Sequence, residues 1–152
     1  MPHHRMHLKG PWQYEWVTSL SVSNVVKCLD VGEGKVIMPA SWQSIFGSTS
    51  GTVRFFRRFG QPTNLESEER VFIVFDGVGG SARVAVNDHI LGTMSDSDRP
   101  IGFEVTNLLQ ASNQLVVELD FDVDRADGAP GGLWAPVAIE IRSDITRRPT
   151  SA

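Results

Sequence analysis

The chain of 152 residues holds one cysteine and one tyrosine, and its only lysines are Lys9, Lys27 and Lys35. A lone Cys28 cannot close an internal disulfide, so the fold does not depend on an oxidising compartment, and Cys28 reads as a small buried hydrophobe. Positive charge is carried mostly by arginine, net charge is −4 and the pI is near 5.5. That balance disfavours non-specific nucleic-acid binding, and no cluster of Lys and Arg offsets it. No apolar run is long enough for a membrane-spanning helix. The first residues, Met1 to His7, lack the apolar segment of a secretory signal, so the default compartment is the cytoplasm, on the condition that Met1 is the true start. No segment of ten or more residues carries an apolar period of 3.6, so long helices are not expected.

What is present is a period of two. Val71-Phe72-Ile73-Val74-Phe75 is a buried-strand run, broken at Asp76-Gly77-Val78-Gly79-Gly80. It restarts as Ala82 to Val86, turns at Asn87-Asp88, resumes at Ile90-Leu91 and, after a polar loop, at Phe103-Glu104-Val105. Thr52 to Phe59 places Val53 and Phe55 on one face and Arg54, Phe56 and Arg58 on the other. Leu115, Val117, Leu119 and Phe121 share a face, opposite Glu118 and Asp120. Val137 to Ile141 alternates likewise, and Val22 to Asp30 reads as a further strand turning at Val31 to Gly34. Ser44-Ile45-Phe46 and Asn107 to Gln110 fit single helical turns. Many short strands between Gly/Pro turns predict one all-β antiparallel sandwich or barrel. Its expected limits are residues 10–145, with a flexible N-terminal tail over 1–9 and a disordered C-terminal tail over 146–152.

Several chemical motifs fail on their own terms. Gly77-Val78-Gly79-Gly80-Ser81-Ala82 has the outline of a dinucleotide loop, with Asp96 further on, but its second half must open a helix, and Ala82 to Val86 alternates as a strand. Asp120-Phe121-Asp122-Val123-Asp124 starts like a calcium loop, yet Arg125 stands where an EF-hand needs Gly and Gly131 where it needs Glu. Gly47-Ser48-Thr49-Ser50-Gly51 lacks serine at the nucleophile position. Glu68 and Glu69 lie on a polar segment with nothing to raise a general acid's pKa. His3, His4 and His7 form a terminal cluster of the adventitious kind. No catalytic set emerges, and no cofactor is implied. Trp12, Trp42 and Trp134 fall in turn or loop context, and Trp16 near a strand start. Each reads first as a ring closing the end of a core, and second as a platform for a sugar's C–H face.

The motifs also resemble, in order and spacing, the N-terminal sugar-binding domain of glycoside hydrolase family 2, the β-galactosidase and β-glucuronidase group. Gly10-Pro11-Trp12, Met38-Pro39-Ala40-Ser41-Trp42, Phe56-Arg57-Arg58-Phe59, Phe75-Asp76-Gly77-Val78, Ala82 to Gly92, Phe103 to Leu109 and Gly131-Gly132-Leu133-Trp134-Ala135-Pro136-Val137 are similar to successive family motifs, over nearly the whole chain. Three positions depart from the pattern: Asp88 where Gly is usual, Ala135 where Arg is usual, and a Ser95 to Arg99 loop without the usual Gly-Gly-Tyr-like pattern.

The resemblance implies a galactose-binding-like, antiparallel jelly-roll β-sandwich. In the family the catalytic glutamates lie in a following (β/α)₈ barrel of about 250 residues. No residue follows Ala152 here, so a non-catalytic domain is expected. The expected role is carbohydrate binding at loops holding Trp42, Arg99, Asp124, Asp127 and Trp134, on the rim formed by Asp122 to Pro130. A structural calcium, of the kind such folds often hold, would draw on Asp122, Asp124 and Asp127. The alternative is a structural or interaction domain without a sugar ligand, forming a homo-oligomer or pairing with a separately encoded glycosidase subunit.

Overall fold

The computed structural model describes residues 4–17, 33–63, 65–126 and 128–143. The expected strand over Val22 to Asp30, Cys28, Asp127 and the 146–152 tail lie outside the described residues. In chain order the strands are β1 (His4–His7), β2 (Trp12–Trp16), β3 (Glu33–Val36), β4 (Gly51–Gly60), β5 (Glu69–Phe75), β6 (Val78–Val86), β7 (His89–Ser97), β8 (Ile101–Glu104), β9 (Ser112–Phe121) and β10 (Val137–Ser143). Two short helices, α1 (Trp42–Phe46) and α2 (Val123–Ala126), and one 3₁₀ turn (Thr106–Leu108) complete the described elements.

The strands form two sheets, ordered β1-β10-β5-β8 and β3-β2-β4-β9-β6-β7, and all their pairings are antiparallel. This is the expected all-β jelly-roll sandwich. Alternation decides which side chains meet between the sheets. Val53 and Phe55 of β4, Val84 and Val86 of β6, and Leu115, Val117 and Leu119 of β9 face Val71, Ile73 and Phe75 of β5 and Ile139 of β10 in one core.

The described structure corrects the expected N-terminal tail. Residues His4 to His7 pair in register with Ile141 to Ala138, and Leu8 is buried in the core. β1 escapes a pattern search because it is an edge strand of polar residues whose partner is more than 130 positions away. The Gly77–Gly80 region also differs from expectation. Val78, Gly79 and Gly80 belong to β6, which runs straight on to Val86, so the nucleotide-loop outline has no helix to serve it. Ser95 to Ser97 likewise continue β7, where a loop is expected.

The turn at Asn87-Asp88 is tight, with φ of 51° and 70°. Both values lie in the left-handed region, which Asn and Asp tolerate better than other non-glycine residues. Asn87 is held further. Its amide nitrogen donates to Leu108 O (3.0 Å) and to Asn113 Oδ1 (2.8 Å), and its Oδ1 accepts from Gln114 N (3.0 Å). Asn113, a buried polar residue, donates to Phe59 O and Gln110 O and accepts from Gln110 N. The network ties this hairpin, the 3₁₀ turn and β9 into one end of the sandwich with no buried amide left unpaired.

Candidate functional site

The opposite end is built around α1. Ser41 caps it, its hydroxyl accepting from Ser44 N at 3.1 Å, the usual device for an orphan N–H at a helix start. The helix turns Trp42 inward. Its indole N–H donates to Thr49 O (2.6 Å), and its ring lies 4.8 Å from Phe46, 5.7 Å from Trp16 and 5.4 Å from Phe121. Trp42 is fully buried, so it closes the end of the core and offers no ring face to a sugar. The sugar-platform expectation for Trp42 is therefore corrected.

The next residue of α1, Gln43, positions the loop from Asp122 to Pro130. Its amide nitrogen donates to Ala129 O (2.8 Å), its Oε1 accepts from Gly131 N (3.0 Å), and Trp42 N donates to Gly131 O (2.7 Å). At the other side of the loop, Asp122 caps α2 by accepting from Asp124 N (3.0 Å), and Ser50 Oγ accepts from Val123 N (2.9 Å). Gly79 and Gly132 exchange two backbone hydrogen bonds, of 3.0 and 2.9 Å, that pin the loop against β6. This approach explains the glycines. A Cβ on Gly79 would collide with the Pro130 carbonyl and lie 2.6 Å from Gly131 Cα, while Gly80 takes φ +97° against the Asp120 carbonyl.

Between the loop and the start of β6 lies an open cleft of about 420 Å³, lined by Ser81, Asp96, Asp120, Asp122 and Arg125 among others. Its volume is in the range of small-ligand sites. Asp96 is oriented by accepting from Gly80 N (2.7 Å), and Asp120 by accepting from Thr52 Oγ1 (3.2 Å). The Arg125 side chain makes no hydrogen bond or ion pair among the described residues, so its donors face outward. Three carboxylates and one guanidinium around a polar cleft offer acceptors and donors to hydroxyl groups.

The sequence candidates distribute unevenly over this end. Asp122 lines the cleft, and Asp124 is exposed on α2 beside it. Arg99 is exposed on the turn after β7, where its backbone exchanges hydrogen bonds with the Ser97 hydroxyl. Trp134 is half-buried, its ring laid against Gly77 so closely that a Cβ there would sit 2.6 Å from it. Among the described residues no three His, Cys, Asp or Glu side chains gather into a metal site, and the expected calcium set of Asp122, Asp124 and Asp127 includes Asp127, which lies outside them. Sequence reasoning did not single out Asp96, Asp120 or Arg125 as partners. The available signal for Asp120 was its outward position on β9, opposite the core face.

Comparison with known proteins agrees with this architecture. The family model described as the glycosyl hydrolase 2 galactose-binding domain-like domain matches residues 49–131, more than half of the chain. Among solved structures the chain is similar to an FMN-binding β-glucuronidase of Faecalibacterium prausnitzii, with TM-score 0.73 and 17% identity, covering 93% of this chain and 23% of that one. It is similar to a Bifidobacterium dentium β-glucuronidase solved with coumarin-3-O-glucuronide, with TM-score 0.71 and 19% identity, covering 93% of this chain and 30% of the other. A β-glucuronidase of an uncultured Clostridium gives TM-score 0.71 and 17% identity, covering 93% and 29%. The search of curated proteins finds no match. At these identities the structural likeness concerns the fold, and the chain spans less than a third of each of these enzymes. Sequence motifs, sheet order and the matched segment converge, and the chain belongs to the galactose-binding-like domain family of glycoside hydrolase family 2.

Proposed function

We propose that this domain is a non-catalytic carbohydrate-binding module, taking a sugar at the cleft beside the Asp122–Pro130 loop. The observation that carries the reading is the cleft itself: Asp96, Asp120, Asp122 and Arg125 surround about 420 Å³ of open space on a loop clamped by Gln43. Sugar hydroxyls donate to carboxylates and accept from guanidinium N–H groups, and fixed partners lower the ordering cost of binding. Asp124, Arg99 and Trp134 enter as outer contacts on neighbouring turns, and Trp42 as the buried support behind the loop. The family's name points to galactose, and glucuronate enters the panel as the acidic comparison because one structural neighbour was solved with a glucuronide. Isothermal calorimetry with galactose, methyl galactoside and glucuronate at millimolar concentration tests this. Binding that weakens at least about fivefold in Asp122→Asn is expected; no heat across that panel would refute it.

A second reading, a structural or interaction domain that self-associates or pairs with a separately encoded glycosidase, is favoured by Ile90, which is 67% exposed on β7. It lies in register with Ala85, which is in turn in register with Val116 and then Phe56 on the outer face of the six-stranded sheet. Light scattering at rising concentration distinguishes the two: a monomer that binds sugar fits the first, a dimer indifferent to sugar the second.

A further inference from the structure

The outer face of the six-stranded sheet carries a second cleft, of about 520 Å³, that shares Ser81 and Asp120 with the loop-side cleft. Register sets its chemistry. Ser95, Ser81, Asp120 and Thr52 lie opposite one another across β7, β6, β9 and β4, a row of hydroxyls and one carboxylate. With strands about 4.8 Å apart, the row runs roughly 14 Å, longer than one sugar ring.

The neighbouring row is Thr93, Arg83, Glu118 and Arg54. Arg54 is already engaged with Glu15 (2.8 Å) and Glu118 (3.6 Å). Arg83 makes no hydrogen bond or ion pair among the described residues, although it stands in register with Glu118. It presents an exposed guanidinium at the wall of the second cleft, as Arg125 does in the first.

On this basis, and resting on the sugar-binding reading above, we infer that the two clefts are consecutive subsites of one track and that the ligand is a neutral oligosaccharide. A ring in the loop-side cleft extends across Ser81 and Asp120 onto the sheet, where Arg83, Thr93 and Ser95 meet the next ring. Charge selects against an acidic chain. Asp96, Asp120 and Asp122 outnumber Arg83 and Arg125 along the track, so a carboxylate on the ligand meets net repulsion.

The test measures binding of galactose, galactobiose, galactotetraose and tetragalacturonate by calorimetry, with amide chemical shifts to locate each ligand. The expected result is galactotetraose binding at least about tenfold tighter than galactose, with shifts at Arg83, Thr93 and Ser95 seen only with the longer sugars. Arg83→Gln should remove most of that gain and leave galactose affinity unchanged. Thr93→Val, a second exposed position, should reduce it partly. Equal affinity for galactose and galactotetraose, with shifts confined to Gly80, Asp96 and Asp122, would overturn the second subsite and leave the sugar-binding reading intact. Tetragalacturonate binding more tightly than galactotetraose would overturn the neutral-ligand assignment. Absence of binding by all four would overturn both the track and the reading beneath it.

Discussion

The outer faces of the two sheets are built from similar residues and resolve their charges in opposite ways. On the four-stranded sheet, Glu140 of β10 is buried and accepts from Arg142 (2.8 and 3.0 Å) and from Arg5 of β1, which also reaches Asp76. Arg142 in turn lies 4.2 Å over the Phe72 ring. These side chains share the outer face with Val74 and Ala138, which are buried although they point away from the central core. On the six-stranded sheet Arg54 pairs with Glu15 and Glu118, but Arg83 makes no hydrogen bond or ion pair among the described residues, and the face stays open in clefts. A face whose charges are satisfied by one another has little left for a ligand, whereas unpaired donors and acceptors beside empty volume are available to one.

Trp42→Ala removes a fully buried ring from the core between the sheets. A loss of about 3–5 kcal/mol in urea unfolding is expected, lowering protection of both sheets together; protection lost from only one sheet would show that the sandwich does not fold as one unit.

Glu140→Gln strikes the closed face alone, with an expected cost of roughly 2 kcal/mol at neutral pH. Burial by itself would raise the Glu140 carboxyl, but hydrogen bonds and charge from Arg142 and Arg5 outweigh it and hold the group below its ordinary value of 4.5. The ionised state is therefore favoured by folding. Its contribution is complete above the ordinary carboxylate range and is lost as pH falls through the lowered pKa. The stability gap between Glu140→Gln and the unchanged protein should accordingly narrow below about pH 4.5; a gap constant down to pH 3 would rule out the ion network as its source.

Gln43→Ala tests the anchoring of the open side. Loss of two hydrogen bonds should cost about 1–2 kcal/mol. Amide exchange should accelerate at Ala129 and Gly131 while β9 stays protected, and galactose affinity should fall with it. Unchanged exchange would mean that the Gly79–Gly132 and Trp42–Gly131 backbone bonds seat the loop without Gln43. The smallest effect belongs to Arg83→Gln, expected to change stability by less than about 0.5 kcal/mol. A larger loss would reveal a structural partner and make the two faces more alike than their contacts indicate.

Strands with mixed polarity were legible in the sequence. Thr52 to Phe59 and Leu115 to Phe121 declare their inner and outer faces because period-two burial leaves Val53 and Phe55, and Leu115, Val117, Leu119 and Phe121, at alternate positions. The Gly79-Gly80 part of β6 was not, since glycine has no side chain to mark a face. β1 was hidden for a different reason: its stability comes from a partner strand at the far end of the chain. The same limit governs the site. The Asp122 to Pro130 rim could be named from family resemblance, but Asp96, Asp120 and Arg125 become neighbours only when β6, β7 and β9 are laid side by side. Trp42 was visible as an aromatic residue before a helical turn, while the direction of its ring depends on the Ser41 cap and on Phe46, Trp16 and Phe121 behind it.

The pairing of β1 with β10 has a practical corollary. His4 and Ser143 lie at one end of the neighbouring strands β1 and β10, and the clamped loop leads into the other end of β10. A dye or surface tether attached at His4 or Ser143 thus sits at the end of the four-stranded sheet away from the clamped loop. A closed linker joining the two flanks would need to bridge only neighbouring strands, so new ends could be opened elsewhere in the chain without disturbing the loop.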